Sequence, residues 1–227
     1  MGFMDATPRS DVSAVSALGE PVRRQVYDHV RTQPSPVSRD DVAEALGFAR
    51  STSAFHLEKL ADEGLLAVEF ARRGGRSGPG AGRPAKLYRR SDREFSVHLP
   101  ERAYALAGEL FARAIEDADA TGASPRDALS ARARDFGRGL GADLGCTDDD
   151  LVAALAACGY EPRSSDGTIV LVNCPFHALA RQHTDMVCGM NLALLSGLLD
   201  GAGCGNRLAT LAPAEGYCCV RIDPPRE

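Results

Sequence analysis

The sequence predicts an α+β protein in which two modules are joined by a helical connector. Apolar residues recur at helical spacing in several segments, and short strand-like runs with turn residues lie between them. Residues 1–93 carry a net charge of +3, whereas residues 94–227 carry −8. All seven cysteines lie in the last 82 residues. We therefore expect domains at 1–93 and 146–227, with a helical connector and dimerisation region at 94–145.

The composition is that of a folded, globular chain. Of its 227 residues, 44% are hydrophobic and 25% are charged, which excludes disorder as the dominant state. No apolar run reaches the length of a membrane span, and the polar N-terminus lacks the core of a signal peptide. We expect a cytoplasmic protein with no membrane contact. An odd number of cysteines in such a chain argues against a disulfide framework and leaves metal sites, redox chemistry or buried thiols.

The first module begins with helices. Two helical segments are predicted between Ser10 and Thr32. Ser38 is followed three residues later by Asp41, the pattern of a capped helix, and Gly47 ends that short helix. A second helix from about Arg50 to Glu63 follows after a tight turn. Two short helices around a tight turn predict a helix-turn-helix.

A hairpin is predicted after the second helix. Leu65 to Phe70 and Ala85 to Arg90 are expected to be strands, and the segment between them is rich in glycine, proline and arginine. Alone, this segment has an alternative interpretation as a solvated linker. Directly after a helix pair, a strand pair with a basic tip is typical of a wing, so the first module is predicted to be a winged helix-turn-helix.

This module suits contact with double-stranded DNA. If the second helix enters the major groove, it supplies hydroxyls, an imidazole and cations to phosphates and base edges from Arg50, Ser51, Thr52, Ser53, His56 and Lys59. The wing would contact phosphates or the minor groove through Arg72, Arg73, Arg76 and Arg83.

Helices and short strands are predicted for the rest of the chain. Helices from about Pro100 to Ala120 and from Ser124 form the connector, which either joins a dimer or packs on the C-terminal core. A small cysteine-rich α+β domain follows. Its predicted elements are a helix capped by Thr147, strands at 161–164 and 168–172, a helical region at 175–199 broken near Thr184, and strands at 208–211 and 218–222.

The cysteines of this domain are spaced at long intervals. Cys174 opens a helix, Cys188 lies within the next, Cys204 lies among glycines, and Cys218 and Cys219 begin the last strand. Thiolates at loops and helix starts are favourable metal or cluster ligands, although buried, inert thiols are an equal alternative. Strand alternation predicts that only one of Cys218 and Cys219 faces the site.

A histidine is the alternative fourth ligand. With three cysteines, either His177 or His183 would complete a tetrahedral Zn²⁺ site. Cys146 and Cys158 are expected to have no role.

Two resemblances refine these predictions. The run from Leu18 through Arg90, including VSRDDVAEALGFARSTSAFHLEKLADEGLL, resembles winged-helix regulators near the arsenic-responsive repressors, without their Cys-x-Cys pair. The runs NCPFHALARQH, VCGMNLALLSGLL and YCCVRI resemble the C-terminal domain of the iron-sulfur assembly (Suf) repressor family. This second resemblance implies an iron-sulfur cluster on Cys174, Cys188 and one of Cys218 or Cys219. Cys204 takes about the place of the remaining family cysteine, at longer intervals.

The predicted function is that of a homodimeric regulator. We expect a repressor that binds a near-palindromic operator and whose cluster couples redox or iron status to DNA binding. One alternative is a structural zinc with a small-molecule effector. Another is a thiol enzyme that uses Cys174 with His177 or His183 as base, but no acidic orienter is identifiable, so we expect no enzyme activity.

Overall fold

The computed structural model describes residues 8–71 and 84–224. The chain divides into two compact units, Met1–Val97 and His98–Glu227. The described elements of the first unit are α1 (Pro8–Ala17), α2 (Pro21–Arg31), β1 (Val37–Ser38), α3 (Arg39–Leu46), α4 (Arg50–Asp62), β2 (Leu66–Ala71) and β3 (Ala85–Arg90).

The predicted helix-turn-helix is formed by α3 and α4. Ser38 caps α3 through a reciprocal capping box, in which the Asp41 amide donates to Ser38 Oγ over 3.4 Å and the Ser38 amide donates to Asp41 Oδ2 over 2.7 Å. Gly47 ends α3 with φ of 69°, a left-handed conformation that glycine adopts at little cost. Only Phe48 and Ala49 then separate this glycine from α4.

The predicted wing is an antiparallel hairpin. β2 and β3 pair over six residues from Leu66 opposite Arg90 to Ala71 opposite Ala85. β1 adds a third strand on the other side of β3, in the order β1-β3-β2. The core beneath this sheet is formed by apolar side chains of α1, α2, α3, α4 and the strands, among them Val26, Val42, Leu57, Leu60 and Tyr88.

The second unit combines five helices and four strands among its described residues. They are α5 (Tyr104–Thr121), α6 (Pro125–Gly141), α7 (Asp148–Ala157), β4 (Pro162–Ser165), β5 (Thr168–Leu171), α8 (His177–Gln182), α9 (Thr184–Gly201), β6 (Leu208–Leu211) and β7 (Val220–Asp223). The strands form an antiparallel sheet in the order β4-β5-β7-β6. The helices α5 and α6, predicted as a connector, therefore belong to this unit.

Helix α9 forms the centre of the second unit. It contacts α6 at backbone distance, because glycines face the partner helix on both sides. A Cβ on Gly137 would lie 1.9 Å from the Leu194 carbonyl oxygen, and one on Gly197 would lie 2.0 Å from that of Arg134. Leu194, Leu195 and Leu198 fill the adjoining core. This close approach holds α9 in one position and leaves little room for adjustment.

The described residues contain no helix that is both long and apolar enough to cross a membrane.

Candidate DNA interface and cysteine cluster

Helix α4 turns part of the predicted DNA-contacting set inward. Ser53 is 0% exposed and His56 is 8% exposed, so neither is available to a partner, and this part of the prediction is corrected. The reason is helical spacing: both share a face with Leu57 and Leu60, which are fully buried. The helical spacing of these residues relative to Leu57 and Leu60 therefore predicts their burial from the sequence.

The other predicted α4 residues are accessible. Arg50, Ser51 and Lys59 are exposed, and Thr52 is half-buried. Arg50 pairs with Asp40 at 3.0 Å, while Lys59 pairs with Glu63 at 3.2 Å. Exposed ion pairs of this kind contribute little stability, so both cations remain free to exchange their partners for phosphates.

Buried His56 has a structural position instead. Its Nδ1 lies 3.5 Å from Glu20 Oε2. The Glu20 carboxylate also accepts hydrogen bonds from the backbone amides of Val22 and Arg23, which cap α2. The Arg23 amide is the main reason that the pKa of Glu20 is lowered. His56 on α4 therefore packs beside the capped start of α2, although its Nδ1 makes no hydrogen bond there.

A second contact fixes α4 against the wing. The Glu58 carboxylate accepts hydrogen bonds from Lys86 and, over 2.7 Å, from the Tyr88 hydroxyl, both on β3. These bonds, that of Lys86 first, lower the pKa of Glu58, whereas burial raises the pKa of Tyr88. The exposed face of α4 and the base of the wing are therefore held in one geometry.

Phe55 is an exposed, large apolar residue of α4 that the sequence analysis does not single out. Its side chain is 61% exposed, and its ring meets that of His56 edge to face, with 5.2 Å between the ring centroids.

The predicted wing arginines Arg72, Arg73, Arg76 and Arg83 lie outside the described residues.

Four cysteines converge in the second unit. Cys174 lies between β5 and α8, Cys188 lies on α9, and Cys218 and Cys219 directly precede β7. Cys174 and Cys219 lie close enough to Cys218, and Cys219 close enough to Cys188, for the side chains to shift one another's pKa. We refer to these four residues as the cysteine cluster.

Backbone contacts hold the cysteine cluster in place. The Asn173 amide group donates to the Gly159 carbonyl over 2.6 Å and so fixes the loop that carries Cys174. The Cys218 amide donates to the Leu171 carbonyl, and the Cys219 carbonyl accepts from the Ala212 amide, both over 2.8 Å. The loops that carry Cys174, Cys218 and Cys219 are thus held to neighbouring backbone by hydrogen bonds.

Cys218 is the most strongly hydrogen-bonded member. Asn191 Nδ2 donates to its Sγ over 3.2 Å, and Asn191 in turn accepts from the buried Tyr160 hydroxyl. The bond from Cys174 is the largest cause that lowers the pKa of Cys218, and the bonds from Cys219 and Asn191 act in the same direction. The site therefore favours a thiolate at Cys218.

The expectation that only one of Cys218 and Cys219 faces the site is wrong. Strand β7 begins at Val220, so both cysteines lie in the bend before it and do not alternate as strand residues do. Both side chains consequently reach other cysteines.

Cys204 is not in the cysteine cluster. It forms a disulfide with Cys146, and the two Cα atoms are 5.4 Å apart. The structure therefore corrects two expectations: Cys204 offers no free thiolate as a ligand, and Cys146 has a role as its partner. The bond connects the start of α7 to the loop after α9, a proximity that sequence spacing does not reveal.

The predicted histidine ligands point to solvent. His177, at the start of α8, and His183, just before α9, are both exposed, whereas the four clustered cysteines are buried or half-buried. The structure therefore brings together four thiols rather than three thiols and a histidine. In the described part of the chain, no three His, Cys, Asp or Glu side chains already have the spacing of a metal site.

Comparison with known proteins identifies the first unit. Searching the curated proteins with this chain finds no match. Residues 18–69, which extend from just before α2 into β2, match the family model described as a helix-turn-helix domain. The first unit therefore contains a helix-turn-helix domain, which suggests that the chain is a DNA-binding regulator.

Proposed function

We propose that the protein is a cytoplasmic transcriptional repressor that binds a double-stranded DNA operator as a homodimer and carries an iron-sulfur cluster in its second unit. The cluster, held by Cys174, Cys188, Cys218 and Cys219, couples redox or iron status to operator affinity. The observation that carries this proposal is the convergence of four cysteines, from three separate segments, in a chain that also contains a helix-turn-helix domain.

The donor chemistry of the cysteine cluster fits an iron-sulfur group. Cysteine thiolates are the usual ligands of such clusters, and hydrogen bonds to the sulfurs tune their potentials. Here the Asn191 side chain and the Val220 amide both donate toward Cys218. When bound, the cluster supplies a redox-active group.

Coupling to DNA has a thermodynamic condition. A cluster changes operator affinity only by as much as its own affinity differs between the binding and non-binding arrangements of the protein. Loaded and metal-free protein must therefore differ in the geometry or spacing of their DNA-contacting faces.

The first experiment is a visible spectrum with iron, sulfide and zinc analysis on full-length protein purified without oxygen. We expect a coloured protein with matched iron and sulfide. Serine at Cys174, Cys188, Cys218 or Cys219 should remove most of both. Cys158→Ser is the matched control, because Cys158 is also a half-buried free cysteine whose pKa is raised by burial alone.

Zinc is the second candidate, because four converging thiols equally satisfy tetrahedral Zn²⁺. A colourless protein with zinc lost from the same four serine variants would contradict the iron-sulfur proposal. It would assign the cysteine cluster a structural role and leave the signal to a small-molecule effector.

A further inference from the structure

Phe55 occupies the middle of the exposed face of α4. It lies four residues from Ser51 in one direction and four from Lys59 in the other, so all three share one side of the helix. Ser51 and Lys59 are separated by about 12 Å along the helix axis, which is about the width of the DNA major groove. In a helix-turn-helix, residues of this helix contact base edges.

A single exposed apolar side chain needs no special explanation, so position and surroundings carry the argument. The charged neighbours of Phe55 already have partners within the first unit: Arg50 pairs with Asp40, Lys59 with Glu63, and Glu58 with Lys86. Phe55 has an edge contact with His56 and is otherwise 61% exposed. It is the large apolar group on a face that otherwise offers hydroxyls and charges.

The chemistry of the major groove restricts what such a side chain can recognise. A phenyl ring cannot hydrogen-bond to phosphates or to base donors and acceptors. The apolar group that base pairs display in the major groove is the C5-methyl of thymine. We infer that Phe55 is a specificity-determining residue that packs against a thymine methyl group in the operator. This inference rests on the proposed DNA-binding function of the first unit.

The test begins with DNA selected by the full-length protein. Duplexes are enriched from a random-sequence library, and each thymine of the enriched site is then replaced singly by deoxyuridine, which lacks only the methyl group. For the wild type, we expect one thymine position at which this replacement weakens binding about fourfold, the effect of losing one buried methyl contact. The other positions should change little.

Variants then assign that methyl contact to Phe55. Phe55→Ala should bind the enriched site more weakly and no longer distinguish thymine from uracil at the sensitive position. Phe55→Leu, which keeps an apolar side chain, should retain part of the discrimination. Leu211→Ala is the matched control, because it truncates another exposed apolar residue, 51% exposed, in the second unit and outside the predicted dimerisation region; it should behave as wild type.

The outcomes separate the inference from the proposed function. If the wild type binds enriched DNA but is insensitive to deoxyuridine everywhere, or if Phe55→Ala keeps the full thymine preference, the inference is overturned and DNA binding stands. If no duplex is enriched, the proposed function itself fails. If Phe55→Ala does not fold, the deoxyuridine series on the wild type can still overturn the inference, and the partial discrimination expected of Phe55→Leu then assigns the contact.

Discussion

Helices α4 and α9 carry the candidate functional side chains of the two units in opposite ways. α4 presents Ser51, Phe55 and Lys59 to solvent and buries only the opposite face. α9 is buried along most of its length and directs Cys188 and Asn191 inward, with Asn191 only 1% exposed. The difference fits the proposal made for each unit: an exposed helix face that could contact DNA in the first, and a largely buried cysteine cluster in the second.

The cysteine cluster depends on the position of α9, which carries Cys188. Displacing that helix is therefore expected to disrupt the cluster most strongly. Gly137→Ala would place a Cβ 1.9 Å from the Leu194 backbone oxygen, which cannot move independently of α9. We expect a loss of about 3 kcal/mol or more in the unfolding free energy of the second unit. Hydrogen exchange resolved by peptide should be faster in α9 than in the wild type, and its rate in α4 should not change.

Gly139 provides the matched control on the same helix. A Cβ at Gly139 meets no atom within 4 Å, so Gly139→Ala should stabilise α6 by about 0.5–1 kcal/mol through its better helix propensity. Equal exchange rates in the Gly137→Ala and Gly139→Ala variants would contradict the close contact between α6 and α9.

Reduction of the disulfide should lower the stability of the second unit but not that of the first, and it is expected to have the next largest effect. The Cys146–Cys204 bond joins residues 58 positions apart, so breaking it enlarges the conformational freedom of the unfolded chain. We expect dithiothreitol to lower the unfolding free energy of the second unit by about 2–4 kcal/mol. The first unit contains no cysteine and should be unchanged.

A variant with serine at both Cys146 and Cys204 is the control for this experiment. It should start from the lower stability and show no further response to dithiothreitol. A wild-type protein with the same denaturation curve in both redox conditions would disprove a stabilising disulfide.

A smaller effect is expected from the buried polar pair that Asn191 of α9 forms with Tyr160. Asn191→Leu leaves the Tyr160 hydroxyl without its hydrogen-bond acceptor and removes the hydrogen bond that Asn191 donates to the Cys218 sulfur. Unpaired buried polar groups cost about 1–3 kcal/mol, which denaturant unfolding can measure. Adding Tyr160→Phe should lose less than the sum of the two single variants. Asn206→Leu, at an exposed position, should change stability by less than about 0.5 kcal/mol.

The smallest expected effect concerns the contact between Glu58 on α4 and strand β3, whose contribution to stability depends on pH. The bonds from Lys86 and Tyr88 lower the pKa of Glu58 from its ordinary value of 4.5. Their stabilisation is therefore present above pH 4.5 and is lost as the pH falls through the lowered value. Because the Glu58 side chain is 47% exposed, solvent screening limits the contribution to less than about 1 kcal/mol.

Glu58→Gln should remove this contribution. Its unfolding free energy should lie below that of the wild type at pH 7 and converge with it at pH 3. Glu44→Gln, at an exposed position on α3, is the control and should follow the wild type. A Glu58→Gln deficit that persists unchanged at pH 3 would contradict this assignment.

Most of the secondary structure could be predicted because the chain marks its own boundaries. Ser38 and Asp41 form the capping box at the start of α3. Thr147 caps α7 by accepting from the Asp150 amide, and Ser124 caps α6 by accepting from the Asp127 amide. Such signals are local, and so they can be read without knowledge of the fold. The last strand begins two residues later than predicted, at Val220, and this shift explains the error about Cys218 and Cys219.

What could not be predicted depends on contacts between distant segments. The Cys146–Cys204 bond brings together residues whose proximity depends on the position of α9. In the sequence, Asn191 is an ordinary helix residue, because its hydrogen bond to Cys218, 27 positions away, depends on the tertiary fold. The errors at Ser53 and His56 are of another kind, because helical spacing places both residues on the same face as Leu57 and so predicts their burial despite their polar chemistry.

We propose that the cysteine cluster of the second unit controls DNA binding by the first unit. The most direct test measures DNA affinity on one oxygen-free sample before and after iron removal, with iron, sulfide and the folding of α4 checked on both. The account predicts that affinity for the enriched duplex changes by about 5- to 150-fold, the usual range of coupling between two sites. Equal affinity of loaded and iron-free protein, with α4 intact in both, would contradict it.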